Sequence, residues 1–575
     1  MEPISYFNKP QSTQQRHYEA LRAFYIAKES ATQAATRFGF SPAYFKKLRT
    51  LFANHLKTKR DPLFVEKKRG PKQRRTAQIV IEKIVALRKQ NYSIMDIKAN
   101  LHADNLTLSV DAIDKILKKE GFAPLPKRTH EERLKTQIPS TLKAPKSNTL
   151  VIKDETFTTE INVGPLIFLP LLEELGIVDA IKKCNFPSSK DISSIQYVLS
   201  FLALKLMGSS RWSYDTLWNF DRALGLFAGL NVLPKATALA TYSYRVSRQS
   251  NMKLLLALSK KFEPESDGEF NLDFKAIPHW GDASVLEKNW CGARGKAIKS
   301  ILSVMVQNPE SGMLSYTDAE IKHQNQNNAV IEFVDFWKNG HGAAPKMLIF
   351  DSRFTTYEHL NQLNQDGIMF LTLRRRGKKL VNQANSIPED EWQKIQIVRT
   401  KGKKCTIRVH DSLKTLRHYQ GELREIIITD NGHQKPSFLI TNDLNADLNV
   451  LVKKYARRWL VELEIAEQIA FFQLNHPSSS IVVKVDFDLT LSLLAHNLYR
   501  KLANELTGFE HCTAETICRN FLVSGAQIQI KNRQITVRLK KKTHLPILLN
   551  APWMKKSTNL SWLDAAVDYD GWTVS

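Results

Sequence analysis

The stretch PKMLIFDSRFTTYEHLNQLNQDGIMFLTLRRR, residues 345–376, has the pattern of one unit of an α/β sheet. Its apolar run KMLIF predicts a buried strand, and a helix is expected to begin near Thr356. Asp366 and Gly367 predict the turn into a return strand. Because Asp351 directly follows the first strand, we expect its carboxylate at the sheet edge where α/β proteins bind ligands.

Three segments upstream predict further strands of a mixed α/β sheet: FNLDFKAIPHW (270–280), AIKSILSVMVQN (297–308) and GMLSYTDAEI (312–321). The turn signal NPESG separates the last two, and QNNAVIEFVDFWKNG (326–340) predicts a helix before residue 345. Asp273 falls inside the first of these strands, whereas Asp282 follows its expected end. Either could supply a second carboxylate; we prefer Asp273 because it lies within the strand.

A third carboxylate lies in LVKKYARRWLVELEIAEQIAFF, residues 451–472, which has the character of one helix. Tyr455, Arg458 and Glu462 are spaced three and four apart, so a continuous helix presents them on one face. A hydroxyl, a guanidinium and a carboxylate on successive turns suit a site that handles phosphate and metal together. Trp459 beside them is interpreted as a core anchor, with base stacking as the alternative.

These pieces resemble the DDE transposases of bacterial insertion sequences, particularly the group with a Tyr-Arg-Glu-Lys signature. The resemblance rests on Leu272-Asp273, on IFD ending at Asp351 and on the spacing of Tyr455, Arg458 and Glu462, and covers roughly residues 160–520. It implies an RNase H-like catalytic domain in which Asp273, Asp351 and Glu462 bind metal. Tyr455 and Arg458 would then contact DNA phosphates, for which the arginine fork is suited.

The chemistry implied by the resemblance is cleavage and transfer of DNA strands. Two metal ions about 3.5–4 Å apart can activate an attacking oxygen and stabilise the leaving oxygen. Carboxylate ligands favour two Mg²⁺ or Mn²⁺ ions over zinc. Attack by water would free an element end, and attack by the resulting 3′-OH would join it to target DNA without a covalent protein intermediate.

The chain departs from the family pattern at two positions. The lysine of the signature should stand seven residues after the glutamate, where this sequence has Ile469. Lys275 stands two residues after Asp273, where threonine or serine is usual. Between Asp351 and Glu462, the strand-like pieces IQIVRT, KCTIRVH, REIIITD and PSFLITN resemble the β-rich insertion of this group. The resemblance implies that the insertion lies near the active site and helps to hold the DNA end.

The N-terminal segment predicts a helix-turn-helix unit. Residues 14–28 and 31–38 form the first two helices, Gly39 marks the turn, and Ser41 caps the third helix with Pro42 at its first position. The third helix would contact DNA, although trihelical units also serve as packing modules. Its candidate DNA-binding residues are Tyr44, Lys46, Lys47 and Arg49.

A second unit of the same kind is predicted after residue 76, with Ser109 capping its last helix and Gly121 closing it. Between the units, residues 57–75 hold nine Lys and Arg against two acids. Their RGPK core resembles arms that enter the minor groove of A·T-rich DNA; a solvated linker is the alternative. The candidate contacts in this arm are Arg69, Lys72, Arg74 and Arg75.

The fold class predicted from these elements is multidomain, with N-terminal all-α units followed by an α/β RNase H-like domain with a β-rich insertion. The predicted divisions are a helix-turn-helix unit 1–60, a basic arm 61–76, a second unit 77–121, a linker 122–150, a helical scaffold 151–265, a catalytic core 266–380, an insertion 381–447, a second core part 448–520, and a basic hairpin and tail 521–575.

The charge distribution points to a polyanionic partner. The chain carries 83 Lys and Arg against 57 Asp and Glu, a net charge of +26, and residues 1–150 hold 30 against 13, a net +17. We therefore expect double-stranded DNA as partner, both terminal inverted repeats and target; a basic surface kept for solubility is the alternative. Joining two element ends implies a homodimer or higher multimer on DNA.

The remaining composition favours a cytoplasmic, nucleoid-associated protein. The five cysteines (Cys184, Cys291, Cys405, Cys512 and Cys518) form no zinc-ligand pattern and indicate a reducing compartment. The N-terminus lacks an apolar signal segment, and no apolar run reaches the roughly 20 residues of a membrane span.

Two functions are consistent with these observations. The leading one is a bacterial insertion-sequence transposase. The alternative is a non-catalytic DNA-binding protein, either a repressor or a domesticated transposase that keeps the fold. Convergence of Asp273, Asp351 and Glu462 would favour the enzyme, whereas scattered or salt-bridged carboxylates would favour the alternative.

Overall fold

The computed structural model divides into two compact units, Met1–Thr141 and Leu142–Ser575. Helix and sheet are both abundant, so the mixed, multidomain character expected from the sequence is confirmed. The described residues are 10, 12–57, 63, 76–90, 92–103, 106–125, 145–209, 218, 220–264, 266–278, 286–291, 295–398, 404–430, 435–474 and 482–572.

In its described residues, the first unit contains two groups of three helices. Their bounds are α1 Thr13–Tyr25, α2 Ala31–Arg37, α3 Pro42–Lys57, α4 Gln78–Lys89, α5 Ile94–Ala103 and α6 Val110–Lys119. Each group has its own apolar core, the first around Phe45 and the second around Ile84 and Ile113. The predicted caps are present, since Ser41 Oγ accepts from the Tyr44 N–H at 3.2 Å and Ser109 Oγ from the Ala112 N–H at 3.1 Å.

The second unit is organised around a ten-stranded sheet. Its strands are β2 Glu269–Pro278, β3 Lys288–Cys291, β4 Lys296–Gln307, β5 Leu314–Ile321, β6 Met347–Phe350, β7 Met369–Leu373, β8 Gln393–Val398, β9 Lys404–Lys414, β10 Leu423–Thr429 and β11 Ser437–Thr441. The path runs β3-β4-β2-β6-β7-β11-β10-β9-β8, and β5 pairs with β4. β2, β4 and β5 are antiparallel neighbours, whereas β2, β6 and β7 are parallel.

The strands expected between residues 393 and 441 are β8 to β11, and they extend the central sheet. The β11 pairing with β7 makes the predicted insertion continuous with the strand that follows Asp351. The insertion therefore does not form a separate sheet. β3, which pairs antiparallel with β4, was not expected from the sequence.

The described part of the second unit also contains helices. Their bounds are α7 Gly164–Ile167, α8 Leu169–Glu174, α9 Ile177–Lys183, α10 Ser194–Leu206, α11 Arg222–Ala228, α12 Ala236–Ser243, α13 Arg248–Phe262, α14 Ala329–His341, α15 Tyr357–Gln365, α16 Lys378–Asn385, α17 Leu448–Arg457, α18 Trp459–Ala470, α19 Val482–Asn504, α20 Ala514–Ile517 and α21 Leu545–Asn550. Among the described helices, none combines the length and apolarity needed to cross a bilayer.

A second sheet corrects the expected division between residues 151–265 and 521–575. Its strands are β1 Glu155–Thr159, β12 Ala526–Lys531, β13 Gln534–Lys540, β14 Thr558–Leu560 and β15 Ala565–Trp572, in the order β1-β12-β13-β15-β14. The expected basic hairpin is β12–β13, but β1 covers one side of it and β15 the other. It is therefore not an exposed edge, because the region predicted as helical scaffold contributes a strand to the same sheet.

The expected linker 122–150 is shorter than predicted. At its start, Phe122 packs on the second trihelical core and Arg88 Nη2 donates to the Ala123 carbonyl at 3.0 Å. At its end, the Asn148 N–H donates to Asn231 Oδ1 at 2.9 Å. Both ends are anchored, and residues 126–144 lie outside the described part.

A buried carboxyl makes the stability of the second unit depend on pH. Glu263, at the end of α13, accepts hydrogen bonds from Ser311, at 3.0 Å, and Ser315. Burial raises its pKa from 4.5 to about 7, although these hydrogen bonds oppose the rise. Because the folded state holds the proton more tightly, stability present below pH 4.5 is lost as the pH rises to about 7.

Wild type should lose free energy of unfolding between about pH 4.5 and pH 8, and we predict that Glu263→Gln makes this loss smaller by about 3 kcal/mol. The measurement is urea unfolding followed by tryptophan fluorescence at about pH 4.5 and pH 8; all ten tryptophans lie after residue 142. Exposed Glu310 in the neighbouring turn provides the control, since Glu310→Gln should keep the wild-type pH dependence. A Glu263→Gln variant with the full wild-type loss would contradict the prediction.

Candidate active site

The register between β2 and β6 makes Asp273 and Asp351 neighbours. These strands are parallel, and their last aligned pair is Leu272 with Phe350, so the two aspartates are the next residue on each strand. Adjacent strands lie about 4.8 Å apart. Asp351 Oδ1 accepts a hydrogen bond from the Ser352 N–H at 2.5 Å, which fixes the start of the turn after β6.

The helix expected over residues 451–472 is interrupted at Arg458, between α17 and α18. The Arg458 N–H donates to the Tyr455 carbonyl and the Val461 N–H donates to the Arg458 carbonyl, each at 3.1 Å and three residues apart. The freed Arg457 carbonyl accepts from Asn271 Nδ2 at 3.3 Å. A single continuous helix was therefore the wrong expectation, because tighter local bonds and a side chain from β2 replace the regular pattern.

The break directs the Arg458 guanidinium between two of the predicted carboxylates. Nη1 lies 3.2 Å from Asp273 Oδ2, and Nη2 lies 3.0 Å from Glu462 Oε1. The side chains of Arg458, Asp273 and Glu462 are 13%, 20% and 40% exposed. Both carboxylates thus contact one half-buried cation, beside the strand end that carries Asp351.

Burial and charge act against each other at these groups. Burial raises the pKa of Asp273, Arg458 opposes the rise, and the charges of Glu462 and Asp351 add to it. Burial would lower the pKa of Arg458, but Tyr455 and the three carboxylates together hold it above its ordinary value. Burial also raises the pKa of Tyr455 to about 12, so its hydroxyl keeps the proton.

The donor set of this site fits a divalent cation. Asp273, Asp351 and Glu462 offer carboxylate oxygens, the ligand type that Mg²⁺ and Mn²⁺ prefer. When all three are ionised, Arg458 balances one of three negative charges and leaves a formal −2. A cation held by both Asp273 and Glu462 requires Arg458 to move from between them.

A separate cluster behind the site was missed by sequence reasoning, which assigned no role to the histidines. His496 on α19 is fully buried; its Nε2 lies 3.3 Å from Glu464 and its Nδ1 lies 3.0 Å from Glu467, both on α18. Burial would lower the pKa of His496, but the bond and charge of Glu467, together with Glu464, raise it. The three residues could hold a metal.

The interpretation that we favour for this cluster is an ion triad that joins α18 to α19. His496 Nε2 also lies 3.1 Å from the Gly312 carbonyl, and donation to it accounts for a proton on that nitrogen. A protonated imidazole between Glu464 and Glu467 balances one of their two negative charges without a metal. The helix that carries Glu462 is thereby fixed from its other side.

The two departures from the family pattern differ in environment. Ile469 packs against an apolar cluster that includes Ile277, Val461 and Leu489, so its position is part of a core. Lys275 is half-buried, and burial lowers the pKa of its ammonium group. Arg458 is therefore the cation at the centre of the carboxylate site.

Two of the three arginines after β7, Arg374 and Arg376, form contacts within the fold. Arg374 Nη1 lies 2.6 Å from the buried carboxylate of Glu425, and Arg376 Nη1 donates to the Pro436 carbonyl at 3.1 Å. Arg375 is exposed. Arg374 is therefore an internal ion-pair partner.

The candidate DNA contacts of the first trihelical group differ in exposure. Tyr44, Lys46 and Lys47 are exposed on α3. Arg49 is half-buried, and its guanidinium carbon lies 3.6 Å from the centre of the Phe24 ring. This cation–π contact gives Arg49 a packing role within the unit. DNA binding by the other three stays a prediction.

Several predicted residues lie outside the described part of the chain. They are Asp282, the rival for the first aspartate, and the arm residues Arg69, Lys72, Arg74 and Arg75. The Trp459 side chain is also outside the description. Their predicted roles stay predictions.

Comparison of the chain with protein-family models gives no match, and comparison with curated proteins gives none at a significant level. We therefore infer function from the geometry around Arg458.

Proposed function

We propose that this chain is a DDE transposase of the insertion-sequence type, which cleaves and transfers DNA strands with divalent metal. The observation that carries the proposal is that the charges of Asp273, Asp351 and Glu462 all act on the Arg458 guanidinium. Two of these carboxylates come from adjacent parallel strands, and the third contacts the same guanidinium as the first. They are separated widely in sequence, which is expected of a site assembled by the fold.

The strand order supports an RNase H-like core within the proposal. Three antiparallel strands in the order β5-β4-β2 are followed through α14 and α15 by two parallel strands, β6 and β7. Asp273 on the central strand β2 and Asp351 after β6 then correspond to the first two carboxylates of the resemblance. Glu462 on α18 corresponds to the third.

The proposed roles follow from chemistry and burial. Asp273, Asp351 and Glu462 would hold the metal, which when bound would favour both the attacking and the leaving oxygen of an in-line displacement at phosphorus. Tyr455, protonated and half-buried, would donate to a phosphate oxygen. Arg458, once released from its carboxylate partners, would pair with phosphate through its planar fork. The basic N-terminal units would bind the element ends.

A non-catalytic DNA-binding protein is the second candidate, because Arg458 pairs with both Asp273 and Glu462. A permanent salt bridge would leave a folded but inactive centre. Against this, one guanidinium neutralises only one of three carboxylates, and Glu462 is 40% exposed and accessible to a competing cation. Both candidates bind DNA, and only the enzyme cleaves it.

The test uses a supercoiled plasmid that carries the gene for this chain with its native flanking DNA. The purified full chain is incubated with this plasmid in Mg²⁺, in Mn²⁺ and in EDTA, and nicked, linear and joined products are separated on gels. We expect metal-dependent breaks at the element ends. Retarded but intact plasmid in both metals would support the non-catalytic candidate and reject the enzyme.

A further inference from the structure

A basic cleft lies beside Asp351, with a volume of about 620 Å³. Lys288 and Trp290 line it from β3, Phe274 from β2, Arg353 from the turn after β6 and Arg375 from the segment after β7. Volumes of about 300–1,000 Å³ are typical of ligand-binding clefts. These five residues define the basic cleft.

The basic cleft is distinct from the carboxylate site, although it begins next to it. Successive side chains of a strand point to opposite faces, so Phe274 lies on the face of β2 opposite Asp273. The Phe274 ring stacks on Phe354, with ring centres 3.7 Å apart and planes within 1°. Ser352 and Arg353 also line the basic cleft, so its lining begins one residue after Asp351.

The cations of the basic cleft are free of acidic partners among the described residues. No carboxylate of that part of the chain pairs with Lys288, Arg353 or Arg375, and Arg375 Nη2 is 3.4 Å from a carbonyl, that of Ser352. By contrast, neighbouring Arg374 is paired with Glu425. Three cations that lack a carboxylate partner among the described residues, in one concave surface, indicate an anionic ligand.

Trp290 adds an aromatic surface to this charge. Its side chain is 57% exposed, although tryptophan normally buries most of its surface. An exposed indole next to free guanidinium groups is the combination with which proteins bind single-stranded nucleic acid, through base stacking and backbone charge. In a duplex, neighbouring bases cover each base face, so stacking requires an unpaired base.

We propose that the basic cleft binds a single DNA strand that passes Asp351, with one unpaired base stacked on Trp290. Phosphates of the same strand contact Arg353, Arg375 and Lys288. The inference rests on the proposed function, because the adjacent carboxylate site is what brings a DNA strand to this edge. The basic cleft gives the DNA strand a binding surface that the carboxylate site does not provide.

The test measures binding without cleavage. The full chain in EDTA is titrated into a short oligothymidylate that contains one 2-aminopurine, and anisotropy and quenching are recorded. We expect Trp290→Ala to weaken binding about tenfold and to abolish most of the quenching, with Trp290→Phe between it and wild type. Binding to a duplex of equal length should be unchanged. Circular dichroism and thermal unfolding check that each variant folds.

Charge is tested with a matched pair. Arg353→Ala should weaken oligothymidylate binding and lower its salt dependence, whereas exposed Arg417→Ala should leave both unchanged. Unaltered binding and quenching in Trp290→Ala would overturn the inference, as would equal weakening for duplex and single strand. Failure of plasmid cleavage with a normal Trp290 effect would reject the enzyme and leave the cleft supported.

Discussion

Asp351→Asn is expected to reduce metal-dependent cleavage of the plasmid by about a thousandfold or more, which corresponds to roughly 4 kcal/mol of transition-state stabilisation. The substitution removes a charged oxygen ligand and keeps the size of the side chain. Its amide oxygen can still accept the Ser352 N–H that fixes the turn after β6. Thermal unfolding should therefore stay close to that of wild type, and the loss should be in turnover rather than in DNA binding.

The matched control for this variant is Asp335→Asn. Asp335 is exposed on α14 in the same unit, and the same charge is lost there. We expect wild-type cleavage from the control and wild-type retardation of plasmid from both variants. Cleavage by Asp351→Asn within a few fold of wild type would remove Asp351 from the site.

Arg458→Ala is expected to destabilise the metal-free chain by about 2 kcal/mol and to slow cleavage about 100-fold. The stability is lost because Asp273 is left beside the carboxylates of Glu462 and Asp351 without the cation that opposes their charges. The partial exposure of Glu462 limits the loss. Because Arg458 opposes the rise in the pKa of Asp273, removing it raises that pKa further. As the pH is lowered, cleavage by Arg458→Ala should therefore be lost at a higher pH than cleavage by wild type.

The response of the unfolding temperature to Mg²⁺ distinguishes a lost charge balance from a simple loss of packing. Excess Mg²⁺ should raise the unfolding temperature of Arg458→Ala more than that of wild type, since a bound cation replaces the missing charge. Lys453→Ala, which removes one exposed cation from α17, should show neither effect. Arg458→Lys keeps the charge but lacks the fork that contacts two carboxylates. An Arg458→Ala variant with wild-type stability and no added response to Mg²⁺ would contradict the charge balance described here.

Much of the sheet could be predicted because its signals are local. The run before Asp351 is apolar throughout, Thr356 caps the next helix by accepting from the His359 N–H at 3.4 Å, and Gly367 adopts a φ of +72° at the turn into β7. Each feature depends on a few adjacent residues. The strands of the insertion were predictable for the same reason.

The features that were missed depend on residues distant in sequence. The break at Arg458 forms with the help of Asn271 on β2, and nothing in residues 451–472 encodes that partner. His496 gains its role from two glutamates on another helix. β1 completes a sheet whose other strands follow residue 525. Periodicity within a segment carries no information on such pairings.

Whether Asp351 holds a catalytic metal can be decided from the metal preference of Asp351→Cys. A thiolate binds Mg²⁺ poorly and accepts the softer Mn²⁺ more readily. Cleavage rates of wild type, Asp351→Cys and Asp335→Cys are measured on the plasmid in each metal. We predict that Asp351→Cys is inactive in Mg²⁺ and regains activity in Mn²⁺, while wild type and Asp335→Cys share one ratio of the cleavage rate in Mn²⁺ to that in Mg²⁺. Full activity of Asp351→Cys in Mg²⁺, or the same Mn²⁺ to Mg²⁺ ratio for all three proteins, would contradict this prediction.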